Sequence, residues 1–248
     1  MSAPAPTSPA PATPYTPIVT DAGRLVRVLF SPGTVFEEQR DRPTFWWPWA
    51  ILAVLMVLLQ TLQRPFQQRV QELIFAQRGI TPPAGAGAGM VGTIVGMATG
   101  ALMFLIICAI TAGILYLLMA AFGGETTYKK MLTVTVFAAP LAILQQALVA
   151  AVLRMRGLDA IRSVWDMMPS LGADLLLPAD AQLGAFLRVF LGQIGVLQIW
   201  GVVVTAVGLM VLGKVGKGAA WTAAIVSFLI IAALMSGMAA FGISAAGG

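Results

Sequence analysis

The chain has 248 residues, of which 58% are hydrophobic and 10% charged, and its net charge is +5. Soluble domains carry about 25% charged residues, so the composition excludes a soluble globular protein, and a modest positive balance in a membrane protein reflects basic loops near anionic headgroups and not nucleic-acid binding. There is no histidine and Cys108 is the single cysteine, which excludes His-ligated haem, His metal sites, Ser–His hydrolases, histidine proton relays and any internal disulfide or thiolate cluster.

Five stretches lack any charged side chain: 44–63, 79–124, 131–153, 189–213 and 218–248. Each holds the roughly 20 apolar residues that a helix needs to cross a bilayer. The fold class expected is all-α, a polytopic membrane bundle of five transmembrane helices plus short interfacial amphipathic helices. Two regions are expected: a disordered tail over residues 1–20 and one membrane domain over 21–248.

The tail is rich in Pro, Ala, Ser and Thr and cannot bury a core. It lacks a basic segment followed by an apolar one, so it does not read as a signal peptide, and the first span is expected to direct insertion. In residues 21–30, Leu25, Val28 and Leu29 share a helical face flanked by Arg24 and Arg27. That pattern predicts a short helix on the membrane surface with its cations near phosphates. Ser31-Pro32-Gly33 breaks it, and Thr34 with Glu37 has capping-box spacing for a further turn.

Span one is expected at about 45–63. It opens with Trp46, Trp47 and Trp49, which read as an aromatic belt at headgroup level in preference to an aromatic binding box. Over 64–78, Phe66, Val70, Leu73 and Ile74 lie opposite Arg69 and Glu72, predicting a separate interfacial helix. A Pro/Gly linker, 81–89, leads to span two, about 91–121, in which Gly92, Gly96 and Gly100 form a ladder at four-residue spacing. Such a ladder lets another helix approach closely in lipid, in the same chain or in a second copy.

Span three, about 131–153, contains Pro140 as an expected kink and Gln145 and Gln146 near its middle. Span four, about 187–212, carries Gln193 and Gln198, and span five covers about 219–242. These four glutamines either line a polar path or make single interhelical hydrogen bonds. The loop 154–185 mixes arginines and aspartates with Trp165, Met167, Met168 and Leu175 to Leu177, predicting a partly helical segment resting on the membrane surface. No ionisable side chain lies well inside a span, which argues against proton pumps, ion-coupled transporters and voltage sensors. The loop aspartates have no metal-ligand spacing, and no Gly-Lys-Ser/Thr follows GAGAG at 85–89.

Two local patterns resemble a known family. One is Leu29-Phe30-Ser31-Pro32-Gly33-Thr34-Val35-Phe36-Glu37 ahead of Trp46-Trp47-Pro48. The other is Phe122-Gly123-Gly124-Glu125-Thr126-Thr127-Tyr128-Lys129-Lys130-Met131-Leu132, followed by Val136-Phe137-Ala138-Ala139-Pro140. Together with five spans they resemble bacterial Yip-domain proteins over about residues 21–242. Eukaryotic members associate with Rab-type GTPases and with each other in vesicle trafficking and membrane shaping. The chain lacks the Asp-Leu-Tyr-Gly-Pro-like motif of those members before span one, so that activity is not carried over. The resemblance implies a plasma-membrane protein and transfers no catalytic or binding residue. Physically, Gly123-Gly124 ends span two, Tyr128 anchors at the interface, and Lys129 and Lys130 meet anionic headgroups.

The expectation is therefore a non-enzymatic membrane scaffold or adaptor without cofactor, catalytic residue or metal. Its partners are membrane lipids and either a second copy or other membrane proteins, with no nucleic acid. The alternative is a small permease or channel subunit with Gln145, Gln146, Gln193 and Gln198 lining its path. The two sides carry nearly equal numbers of basic residues. The paired lysines in the short turns 122–130 and 213–217 favour a multi-pass protein of the cell membrane with a cytoplasmic N-terminus.

Overall fold

The computed structural model describes residues 17–79, 90–178 and 183–245. Among them it is all-helical. In chain order come α1 (Pro17–Arg27), α2 (Pro32–Glu38), α3 (Trp46–Arg78), α4 (Met90–Ala121), α5 (Tyr128–Ala138), α6 (Pro140–Arg156), α7 (Ala185–Gly192), α8 (Val196–Leu212) and α9 (Lys217–Ala245). Four spans are long and apolar enough to cross a membrane: α3, α4, α5 with α6, and α9. The pair α7 and α8 makes a fifth, bent by 65° at the break. Most of the expected tail lies outside the described residues, but 17–20 are already helical. The Pro/Gly linker 81–89 also lies outside them.

Successive spans run antiparallel. One end of the bundle, the amino-terminal face, gathers the turns 122–127 and 213–216, where Lys214 Nζ stands 4.0 Å from Glu125. The opposite face gathers the end of α3 and the loop after α6. The main core lies between the spans and holds Leu115 and Met119 of α4, Val134 and Phe137 of α5, and Leu209 and Leu212 of α8. Against these α9 sets Ala220, Ala223 and Ala224, all but fully buried. Small residues do in lipid what large ones do in water: they let backbones close up so that dispersion holds the helices together. The spacings Ala220-x3-Ala224, Ala223-x3-Ser227 and Ala232-x3-Ser236 are the close-packing signal that sequence inspection passed over in favour of the glycine ladder.

Three local readings change. The segment 64–78 is not a separate helix, because α3 runs unbroken through Pro65 to Gly79, whose φ of 63° ends it in the left-handed conformation. At about 50 Å, α3 exceeds the roughly 30 Å of hydrocarbon. Pro65 removes one backbone donor, and in that turn Arg154 Nη2 donates to the Leu62 carbonyl at 3.0 Å. The apolar face of this extension is covered by protein and not by headgroups. Phe66 and Val70 bury against Leu153 and Ile161, with Val164 and Met167 packed around them. The loop after α6 is accordingly folded. It makes three 3-10 turns, Leu158–Ala160, Val164–Met167 and Ala173–Leu176, and the second is tied by Asp166 Oδ2 accepting from the backbone N–H groups of Arg162 and Ser163 at 2.9 and 2.8 Å.

The third change concerns α1 and α2, which form a hairpin docked on the bundle. Val28, Val35 and Phe36 are wholly buried; their apolar face meets protein, so the hairpin does not float on headgroups. Phe36 stacks edge-on with Phe137 at 6.3 Å and fits over Gly208, where any Cβ would come within 3.0 Å of its ring. Trp200 Nε1 donates to the Leu29 carbonyl at 2.9 Å, a point about 18 Å along α8 from its end at Leu212. The cations are likewise turned to protein. Arg24 bonds Asp21 at 3.0 Å and Glu38 at 2.8 Å, and Arg27 bonds Glu38 at 2.8 Å. Thr34 builds no capping box. Helix α2 starts a residue pair earlier, at Pro32, and the Thr34 hydroxyl donates to the Ser31 carbonyl at 2.9 Å.

Candidate functional site: an intramembrane cavity with a glutamine end

The loop after α6 packs into the break in span four. Gly172 lies so close that a Cβ would stand 2.6 Å from the Gly192 carbonyl oxygen. Ala173 N–H donates to the Ile194 carbonyl at 2.9 Å, satisfying one of the acceptors that the broken helix exposes. Asp174 Oδ1 accepts from Gly172 N–H at 3.0 Å and holds the wedge in shape. In span three, the expected kink is present as the turn residue Ala139 between α5 and Pro140.

These two interruptions border one partly open cavity of about 480 Å³ lined by residues of α4, α5, α6, α8 and α9, with Met56 of α3 at its edge. All four glutamines singled out from the sequence, Gln145, Gln146, Gln193 and Gln198, line it. No Asp, Glu, Lys or Arg does. Because the spans alternate in direction, the highest-numbered wall residues of α6 and α9 (Gln146, Met235) and the lowest-numbered of α4 and α8 (Phe104, Leu197) lie toward the opposite face. The four amides therefore share that end. The other end has Leu115, Val202 and Ala224, with Thr111, Thr135 and Thr205 whose hydroxyls donate to carbonyls of their own helices at 2.8 to 3.0 Å.

The amides are not equally committed. Gln193 Nε2 donates to the Ala232 carbonyl at 3.1 Å and to Ser236 Oγ at 2.8 Å, fastening the break to α9. The Gln146 backbone carbonyl accepts from Gln63 Nε2 at 3.4 Å. Gln63 is a buried residue of α3 that the sequence does not single out, because it closes its charge-free run beside Arg64 among other polar residues. Gln198 Oε1 is buried without a partner, and the side-chain amides of Gln145 and Gln146 make no hydrogen bond among the described residues.

The other sequence candidates lie elsewhere. Gly100 faces α3, where a Cβ would collide with the Gln60 carboxamide, and Gly96 stands near Arg64 Nη2; Gly92 and Gly96 are exposed. Trp46 and Trp47 are 60% and 48% exposed at the start of α3, as a belt requires, but Trp49 turns inward and packs on the core. The Tyr128 hydroxyl donates to the Ala109 carbonyl at 2.9 Å. Thr127 caps α5 by accepting from Lys130 N–H at 3.4 Å. Lys129 and Lys130 sit in the first turn of α5, and α9 starts at Lys217. Cations there oppose the helix dipole, so helix stability does not explain them.

Comparison with known proteins agrees with this architecture. A family model described as the Yip1 domain matches residues 26–239. The chain is 30% identical over 232 residues to membrane protein YknW of Bacillus subtilis (strain 168), covering 88% of this chain and 92% of that protein. No solved structure matches.

Proposed function

The chain belongs to the Yip1-domain family of membrane proteins, and from that premise we propose that it acts as a non-enzymatic scaffold or adaptor in the cell membrane. The supporting observation is the docked amino-terminal hairpin. Its salt-bridged α1–α2 unit is fixed to α8 by Phe36 and Leu29, giving a rigid surface of a kind that partners recognise. The two displaced carboxylates fit the same reading. Burial works against the Glu38 charge, but hydrogen bonds from Arg24 and Arg27 and their charges outweigh it and hold the carboxyl below its usual range. For Asp166, burial is likewise outweighed by the hydrogen bonds of Arg162 and Ser163. Both groups hold their own turns together and neither faces the cavity. The lysines at the starts of α5 and α9 support a cytoplasmic amino-terminal face.

Crosslinking in native membranes, followed by pull-down and native mass spectrometry of the purified complex, tests this. A defined protein partner or a homo-oligomer is the expected result, and a protein recovered only as a monomer sinks the scaffold reading. The meeting of four amides in one cavity favours a second reading, a small permease or channel subunit. Solute flux into proteoliposomes that disappears in Gln145→Leu and Gln198→Leu variants would support it.

A further inference from the structure

The cavity walls on α4 run from Phe104 to Leu115 and on α9 from Ala224 to Met235, so the cavity is about 16 Å long at 1.5 Å per residue. A volume of about 480 Å³ spread over that length leaves a mean cross-section on the order of 30 Å². Carbon atoms pack at roughly 4 Å, so an extended alkyl chain fits along the cavity. Its size and its apolar lining with a few polar groups are those of a small-molecule site.

The polarity is graded along the axis. One end is hydrocarbon with threonines that have turned their protons back to their own helices. The other holds the side-chain amides of Gln145 and Gln146 and the Gln198 amide N–H, none hydrogen-bonded among the described residues, while the Gln198 oxygen is covered by the backbone at Gly195. Bilayer hydrocarbon offers nothing to satisfy such groups, and three of them in one place call for a hydrogen-bonding occupant. With no Asp, Glu, Lys or Arg in its wall, a charged head would sit desolvated and uncompensated.

We propose that this cavity binds one neutral single-chain lipid, its alkyl chain between α4 and α9 and its uncharged hydroxyl or ester head at Gln145, Gln146 and Gln198. The site goes beyond the scaffold reading. A lipid bound there ties α6, the α7–α8 break and α9 together around a shared core.

The test uses the full chain in phosphatidylcholine nanodiscs and a monoacylglycerol carrying a diazirine in its chain, with labelled peptides mapped by mass spectrometry. Expected is saturable labelling within 104–115 and 224–235, displaced by unlabelled monoacylglycerol. Gln145→Leu with Gln198→Leu should weaken half-saturation roughly tenfold, the effect of two lost hydrogen bonds, without lowering the thermal midpoint. Gly201→Leu should abolish labelling by filling the cavity; a Cβ at Gly201 meets only Leu141 Cδ1, at 3.9 Å, so the variant has room to fold. Labelling spread over the lipid-facing residues and not displaceable overturns the proposal, as does unchanged affinity in the double glutamine variant, which would mean that water satisfies the amides. Equal labelling by the corresponding diazirine fatty acid at neutral pH overturns the assignment of a neutral head.

Discussion

Replacing Gly208 by alanine should unseat the α1–α2 hairpin. The new Cβ would lie 2.9 Å from Phe36 Cζ and 2.9 Å from Val134 Cγ1. Phe36 is wholly buried and its ring is already held edge-on by Phe137, so it has no free direction in which to retreat. Overpacking of this kind costs about 1–3 kcal/mol, while exchanging a helical glycine for alanine returns about 1 kcal/mol. The net is a loss of up to about 2 kcal/mol. If the hairpin were undocked, only the Val134 contact would oppose the gain of about 1 kcal/mol in helix propensity, and Phe36→Leu would change nothing, so the coupling to Phe36 decides between the two pictures. Phe36→Leu, with its smaller side chain, should relieve the clash, and the double variant should be more stable than the two single effects predict. Tryptic cleavage after Arg24 and Arg27 in detergent reads the undocked population when reclosing outpaces cleavage, and 2 kcal/mol is roughly thirtyfold in rate. Slower cleavage of the Gly208→Ala protein, with Phe36→Leu adding independently, would refute the packing argument.

Three further outcomes follow from the same geometry. In Gly172→Ala the added carbon meets backbone, the Gly192 and Leu191 carbonyl oxygens at 2.6 and 2.9 Å, which cannot yield as a side chain can. A loss of about 1–3 kcal/mol and faster amide exchange at Ala173 are expected, and an unchanged thermal midpoint would contradict the wedge. Gly100→Leu should destabilise more than Gly96→Leu, because only the first collides with Gln60, and Gln60→Ala should restore most of the difference; equal effects would count against α3 as the partner of the ladder. Finally, Glu38 has a folded-state pKa below the ordinary carboxylate value, so its contribution is present above the unfolded value, about pH 4.3, and is lost as the pH falls through the folded one. The thermal midpoint of the parent should exceed that of Glu38→Gln at neutral pH and converge with it in acid, and a constant gap would exclude this carboxylate as the source.

The spans were legible because insertion into lipid is decided by local composition, and charge-free runs of sufficient length admit few other readings. Pro140 was legible for a similar reason, as a residue that disturbs its own helix whatever surrounds it. Convergence of Gln145, Gln146, Gln193 and Gln198 was half visible: each stands out in an apolar run, but their common end of one cavity depends on how antiparallel helices register. What composition could not reveal was competition between neighbours. An amphipathic stretch such as 21–30 or 64–78 has the same pattern whether lipid headgroups or protein cover it, and here Gly208, Phe137, Ile161 and Leu153 do the covering. The break between α7 and α8 was not legible, because Gly192 and Gly195 alone do not mark one and the loop segment packed on it, at Gly172, lies outside the span.

The bond from Trp200 to the Leu29 carbonyl joins residues 171 positions apart. During synthesis the hairpin leaves the ribosome well before its seat on α8, so the close fit of Phe36 over Gly208 must wait while the three intervening spans enter the bilayer. The hairpin is thus the closing step of assembly, slow because its contacts are the least local in the chain. A nascent protein stalled before α8 would display this amino-terminal segment to any chaperone or protease on that side of the membrane, whereas the finished protein would hide it.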